Sequence, residues 1–261
     1  MKLEFFKYQG TGNDFVIIDN YHQQLPLLST KQIKHICDRH FGVGADGLMY
    51  LCKKEGYDFE MLYYNADGNE SSMCGNGGRC MVKFAHHCGI HKSKYRFIAT
   101  DGEHEAELES DGKVSLKMQD VKKVEMHASH AILNTGSPHF VKFTPDVKDV
   151  DVVATGREIR YSDTFKATGI NVNFVESLGE DAIYVRTYER GVEDETLSCG
   201  TGVTAAALLC AHNDNGFNTV EVKTPGGHLS VEFDKTDDEH FHNIWLCGPA
   251  ELVFKGEIQL P

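Results

Sequence analysis

The chain has 261 residues, 41% hydrophobic and 25% charged, which is enough apolar material for one large core or two of ordinary size. Its 26 Lys and Arg against 39 Asp and Glu leave a formal charge of −13, and so acidic a surface repels nucleic acid and anionic membranes, which removes both from the expected partners. The most apolar stretch, Val203 to Ala211, is too short to span a bilayer, and MKLEFFKYQGTGNDF lacks the apolar run of a signal peptide. Eight cysteines without such a leader point to a reducing compartment, so a cytoplasmic enzyme with mostly free thiols is expected.

Phe15–Asp19 reads as the first strand. Thr30–His40 follows as a helix behind a Ser/Thr cap, with Ile33, Ile36 and Cys37 on one face. Tyr57–Tyr64 is a strand, and a helix begins near Asn76, directly after a glycine. Strands Tyr95–Thr100 and Lys113–Met118 come next, with Asp111-Gly112 as a hairpin turn. Strands Phe140–Phe143 and Ala182–Tyr188 precede a second helix from Thr201, apolar nearly all round and so expected to be fully buried. Thr219–Lys223 and His228–Phe233 flank a turn at Gly226-Gly227, the charged run Asp237–His242 is a hairpin tip, and Leu252–Ile258 is the last strand. Many strands around few buried helices make an α+β fold.

A shift of 125 residues lays Phe15-Val16 on Phe140-Val141, Gly44 on Gly169, Tyr63 on Tyr188 and Cys74-Gly75 on Cys199-Gly200. Both halves run strand, Cys-Gly-x-Gly, apolar helix, strand. Two similar halves are therefore expected, 1–125 carrying Cys74 and 126–249 carrying Cys199, with the terminal strand in 250–261 returning to the first.

MCGNGGRCMVKF (73–84) and SCGTGVTAAALL (198–209) each set a cysteine at a helix start. Unpaired N–H groups there, with the partial positive charge of the helix, cradle an anion such as a carboxylate and favour thiolate. Neither glycine run is followed by Lys-Ser or Lys-Thr, so a phosphate loop is not indicated. Cys37, Cys52, Cys88, Cys210 and Cys247 read as small buried hydrophobes. His86, His87, Cys88 and His91 lie close in sequence with Cys80 nearby, but no Cys-x2-Cys pair occurs, and no metal is assigned. Two weak acids suit inversion of a tetrahedral carbon, with a thiolate taking the proton from one face and a thiol supplying one to the other. Donors at the helix starts would meet the developing charge. No lysine context argues for pyridoxal, so no cofactor is expected. Read alone, Asn13 and Asn65 are equally turn residues, Glu189-Arg190 a solvated pair and His139 a loop histidine.

Set end to end, GTGNDFVIID (10–19), GVGADG (42–47), YYNADGNESSMCGNGGRC (63–80), TGSPHFV (135–141), NVNF (171–174) and YERGVEDETLSCGTG (188–202) make the chain resemble the diaminopimelate epimerases. These cofactor-independent enzymes interconvert LL- and meso-diaminopimelate in bacterial lysine and peptidoglycan synthesis. The resemblance implies two pseudosymmetric halves, each a curved, mostly antiparallel sheet around a central helix, with the site in the cleft between, and a homodimer. It implies Cys74 and Cys199 as the catalytic pair, supported by His139 and Glu189 near the reacting carbon. Asn13, Asn65, Asn171 and Arg190 match residues holding the substrate's amino and carboxylate groups, and Gly75, Asn76, Gly200 and Thr201 match those binding the reacting carboxylate. Gly47 and Ser137 depart from the pattern, standing where some relatives carry glutamine and many carry asparagine, and one residue is inserted between Glu189 and Cys199. Glycine offers no side-chain contact and serine a shorter reach, which bears on the substrate's far end. The rivals are a proline racemase or hydroxyproline epimerase of the same fold, a module that binds an amino acid without turning it over, and a redox sensor closing a Cys74–Cys199 disulfide.

Overall fold

A computed structural model describes residues 2–211 and 215–260; Met1 and Pro261, inside the expected first half and returning strand, lie outside the described residues. The chain divides into two compact units, Met1–Leu116 with Gly248–Pro261, and Lys117–Cys247. The fold is α+β in both.

The first unit contains β1 (Lys2–Gly10), β2 (Asn13–Asn20), α1 (Thr30–Cys37), β3 (Gly47–Cys52), β4 (Phe59–Asn65), α2 (Gly75–His87), β5 (Lys94–Ala99), β6 (Gly102–Leu108) and β7 (Val114–Lys117). The second contains β8 (Val124–Met126), β9 (Ala131–Asn134), β10 (Pro138–Phe143), α3 (Val152–Arg160), β11 (Asn171–Ser177), β12 (Ala182–Glu189), β13 (Asp194–Thr196), α4 (Gly200–Cys210), β14 (Gly216–Thr224), β15 (Gly227–Lys235) and β16 (Phe241–Gly248). β17 (Glu251–Gln259) returns to the first unit, antiparallel to β1.

In the first unit the strands pair β17-β1-β2-β3-β4-β5-β6-β7, with β2–β3 and β4–β5 parallel and the rest antiparallel. The second repeats the scheme from β9 as β9-β10-β11-β12-β14-β15-β16, with β10–β11 and β12–β14 parallel. A parallel pair needs a crossover, and the four helices supply them in the same places in each half. The register agrees as well: Phe15↔Gly47 in β2–β3 is matched by Phe140↔Val172 in β10–β11, each 125 residues on.

Helices on both faces leave the central strands without a solvent side, so β3 (GLMYLC) is buried at every position. Val16, Ile18, Leu48 and Tyr50 face Ile33 and Ile36 of α1, and α2 lies against β1, β2, β3, β4 and β6. In the second unit Phe140, Val172, Phe174 and Tyr188 pack with Val152 of α3, while α4 lies against β10, β11, β12, β14 and β15. α4 has no polar face because almost every residue is buried.

Four expectations are corrected. The first helix ends at Cys37 rather than His40, because the Asp38 carboxylate accepts the N–H groups of His40 and Phe41 (both 2.8 Å) and turns the chain. Thr224 pairs with Gly227, so the hairpin loop is Pro225-Gly226, one residue before Gly226-Gly227. Cys88 is exposed at the end of α2 rather than buried. Eight strands and α3 were missed; several, such as β6 (GEHEAEL), have largely polar sequences, and α3 buries only Val152 and Gly156.

Candidate functional site

In the first unit the chain turns from β1 to β2 through Thr11 and Gly12, at φ 54° and 84°. The turn puts Asn13 at the head of β2 beside the start of α2. Cys74 is the N-cap of α2, extended at φ −97° and ψ 131°, and its carbonyl accepts the Gly78 N–H at 2.7 Å. Asn13 Oδ1 accepts from Cys74 Sγ at 3.5 Å and from Asn76 Nδ2 at 3.3 Å, which brings three of the expected residues together.

Both amides are anchored by charged groups. Asn13 Nδ2 donates to Asp46 Oδ2 at 2.6 Å, and Arg39 bridges Asp46 and Asp14, each at 2.7 Å. Burial pushes the Asp14 carboxyl up, but Arg39 and the buried Lys7 hold it down more strongly, to about 2. At the other end the fully buried Arg79 donates to Asn76 Oδ1 at 3.0 Å and to Thr11 Oγ1 at 2.7 Å.

Asn65 sits exposed at the end of β4 opposite Gly47 in the register. A Cβ on Gly47 would meet Tyr63 Cε2 at 2.5 Å and the Tyr64 carbonyl at 2.6 Å, so this position offers backbone alone. Other thiols of the unit are quenched: burial pushes Cys37 and Cys80 up to about 12 and Cys52 to about 11.

In the second unit Cys199 is the N-cap of α4, at φ −111° and ψ 109°. Its sulfur lies 3.5 Å from Thr201 Oγ1, and its carbonyl accepts the Val203 N–H at 2.8 Å. Thr135 Oγ1 donates to the Thr201 carbonyl at 2.8 Å and Thr204 Oγ1 to that of Gly200 at 3.0 Å. As at α2, the helix supplies no acceptor of its own for its first N–H groups.

Ser137, Asn171 and Arg190 form one cluster. Ser137 Oγ accepts from Asn171 Nδ2 at 2.9 Å and Arg190 Nη2 at 3.2 Å, while Asn171 Oδ1 accepts the Arg190 N–H at 2.8 Å. Glu189 Oε2 accepts from Thr196 Oγ1 at 2.9 Å. His139 belongs to β10 and is completely buried, not a loop histidine. Burial first, and Arg190 second, push its pKa down to about 3, so it is uncharged at neutral pH.

Asp46, Arg39 and Arg79 hold candidate residues in place yet were not singled out from the sequence, nor were Asn173 and Thr187 beside His139. Asp46, Arg79 and Asn173 stand inside segments that carried the family resemblance. Asn171 and Asn173, two apart on one strand, share a face, which was a usable signal.

The sequence matches the profile of the family described as Diaminopimelate epimerase over residues 5–124 and 131–253. A diaminopimelate epimerase of Flavobacterium psychrophilum is 48% identical over 257 residues, covering 98% of this chain and all of that protein. One of Chlorobaculum tepidum is 42% identical, covering 96% and 99%. Among solved structures, a PhzF-family phenazine biosynthesis protein of Bacillus anthracis superposes with a TM-score of 0.74 at 14% identity, covering all of both chains. A hydroxyproline epimerase of Agrobacterium vitis, with bound trans-4-hydroxy-L-proline, gives 0.68 at 12% identity over 98% of this chain and 92% of that one. At such identities these two speak for the fold alone.

Proposed function

The chain belongs to the diaminopimelate epimerase family and has that isomerase activity, and from this premise we propose that it interconverts LL- and meso-2,6-diaminopimelate with Cys74 and Cys199 as the base and the acid on opposite faces of the α-carbon. The observation carrying this reading is that the two thiols are the N-caps of α2 and α4, equivalent helices of a duplicated topology. One thiolate takes the α-proton and the other thiol returns one to the opposite face, their roles exchanging in the reverse direction. The N–H groups of Gly75, Asn76, Gly200 and Thr201 receive the reacting carboxylate and the charge that develops on it. Asn13, Asn65, Asn171 and Arg190 hold the remaining amino and carboxylate groups, Ser137 adds a hydroxyl to the Asn171–Arg190 cluster, and His139 and Glu189 act near the reacting carbon. The mechanism requires no cofactor.

Lysine and peptidoglycan precursor synthesis in the cytoplasm is the proposed setting. Among the described residues no helix is long and apolar enough to cross a membrane. A homodimer is proposed too, supported by three exposed apolar residues of β17: Leu252 at 43%, Val253 at 55% and Phe254 at 46%. Light scattering on wild type and Val253→Lys tests it.

The deciding experiment is proton NMR of LL-diaminopimelate in D2O with reduced protein. Loss of the α-proton signal with appearance of the meso isomer is expected. An unchanged substrate, with exchange of L-proline or hydroxyproline in its place, would overturn the reading in favour of the racemase rival.

A further inference from the structure

We propose that Asn173, itself fixed by Thr187, is a positioning residue that holds His139 as a neutral imidazole protonated on Nε2, giving the proposed epimerase site a buried uncharged donor beside the start of α4. The inference rests on the functional reading for its purpose but not for its geometry.

Asn173 lies on β11 two residues beyond Asn171, and its register partner on β12 is Thr187. Its amide is pinned at both ends. Nδ2 donates to the Phe140 carbonyl at 3.0 Å, an atom that can only accept, so the nitrogen must be on that side. Oδ1 accordingly accepts from Thr187 Oγ1 at 2.9 Å. The same Nδ2 lies 3.1 Å from His139 Nδ1. An amide nitrogen only donates, so Nδ1 must accept. A neutral imidazole accepting at Nδ1 carries its proton on Nε2, and an imidazolium would set N–H against N–H.

Nε2 has no hydrogen-bond partner among the described residues, although His139 is completely buried. A buried donor left unpaired costs free energy, so its persistence marks a place awaiting an acceptor. The ring edge faces α4: a Cβ on Gly202, three residues after Cys199, would lie 3.4 Å from His139 Cε1 and 2.3 Å from Asn173 Oδ1. Any side chain at 202 would drive the amide from its position, so the glycine protects the arrangement. Arg190 is the charged group acting on the ring, against its protonation. The other titratable groups at this end of the packed elements are Glu189, ending β12, and the Cys199 thiol, capping α4.

The acceptor that suits this donor is a carboxylate oxygen of the substrate.

The test is long-range proton–nitrogen NMR of the full 15N-labelled chain. His139 should show a bare Nδ1 and a protonated Nε2 from about pH 5 to about pH 8, without titrating. Asn173→Asp, which presents acceptors only, should move the proton to Nδ1 and restore titration. Conversion should fall about tenfold or more with KM changing less. Thr187→Val, nearly isosteric, should release the amide and mix the tautomers, and it serves if the Asp variant does not fold. A wild-type ring protonated on Nδ1 or titrating near neutrality would overturn the proposal, as would an unchanged tautomer in both variants. None of these spectra needs substrate, so they fail separately from the epimerase reading.

Discussion

The two thiol loops share a backbone device and differ in what holds it. Cys74 faces an asparagine carbonyl whose amide is tied to Asp46, itself held by Arg39, with Arg79 fixing the neighbouring Asn76. Cys199 faces the Thr201 hydroxyl, with Thr135 and Thr204 bonded to the loop's Thr201 and Gly200 carbonyls. The hydrogen bonds described at the first loop include ionised partners, and those described at the second are made by threonine hydroxyls. Duplication repeated the helix start, where geometry is demanding, and left each half to find its own support. A hydroxyl either donates or accepts, whereas an amide carbonyl only accepts.

The largest test of equivalence is to remove each sulfur. Cys74→Ala and Cys199→Ala should each lower conversion of LL- to meso-diaminopimelate at least about a thousandfold with circular dichroism unchanged. Substantial conversion by either variant would break the pairing. Next come the supports. Asp46→Ala should lower kcat about tenfold, since it frees the Asn13 amide, while Thr135→Val should cost only about two- to threefold. Equal losses would erase the distinction between an ionic and a neutral support.

Acid should separate the loops as well. The Asp14 carboxyl is held at about 2 in the fold against an ordinary 3.8. Its contribution is therefore complete above about pH 4 and is lost as pH falls through 3.8 towards 2. Acid titration followed by circular dichroism should show Asp14→Asn unfolding with a weaker pH dependence there than wild type. The smallest effect belongs to Cys88, exposed at the end of α2: Cys88→Ala should change stability by less than about 0.5 kcal/mol in urea.

The repeat was visible in the sequence because Cys-Gly-x-Gly followed by an apolar helix is a local pattern, as are Val, Ile and Phe runs such as FVII in β2. Strands such as β1 (KLEFFKYQG) were not, since Lys7 is buried there by a salt bridge to Asp14 that no window of neighbouring residues reveals. The supports of the site are hidden for the same reason. Asn13 and Asp46 are 33 residues apart, and Asn173 meets Thr187 only through the β11–β12 register. Residues that contribute chemistry show in motifs; those that aim them show once strands are paired.

The pairing of β17 with β1 has a consequence for the order in which the protein forms on the ribosome. The second unit is one uninterrupted segment, complete once Cys247 has emerged, whereas the first still lacks the partner of its opening strand. Throughout the synthesis of the second unit, β1 carries Leu3 and Phe5 on an edge awaiting its mate. The nascent chain is most open to mispairing with another strand during that interval, and β17 closes it.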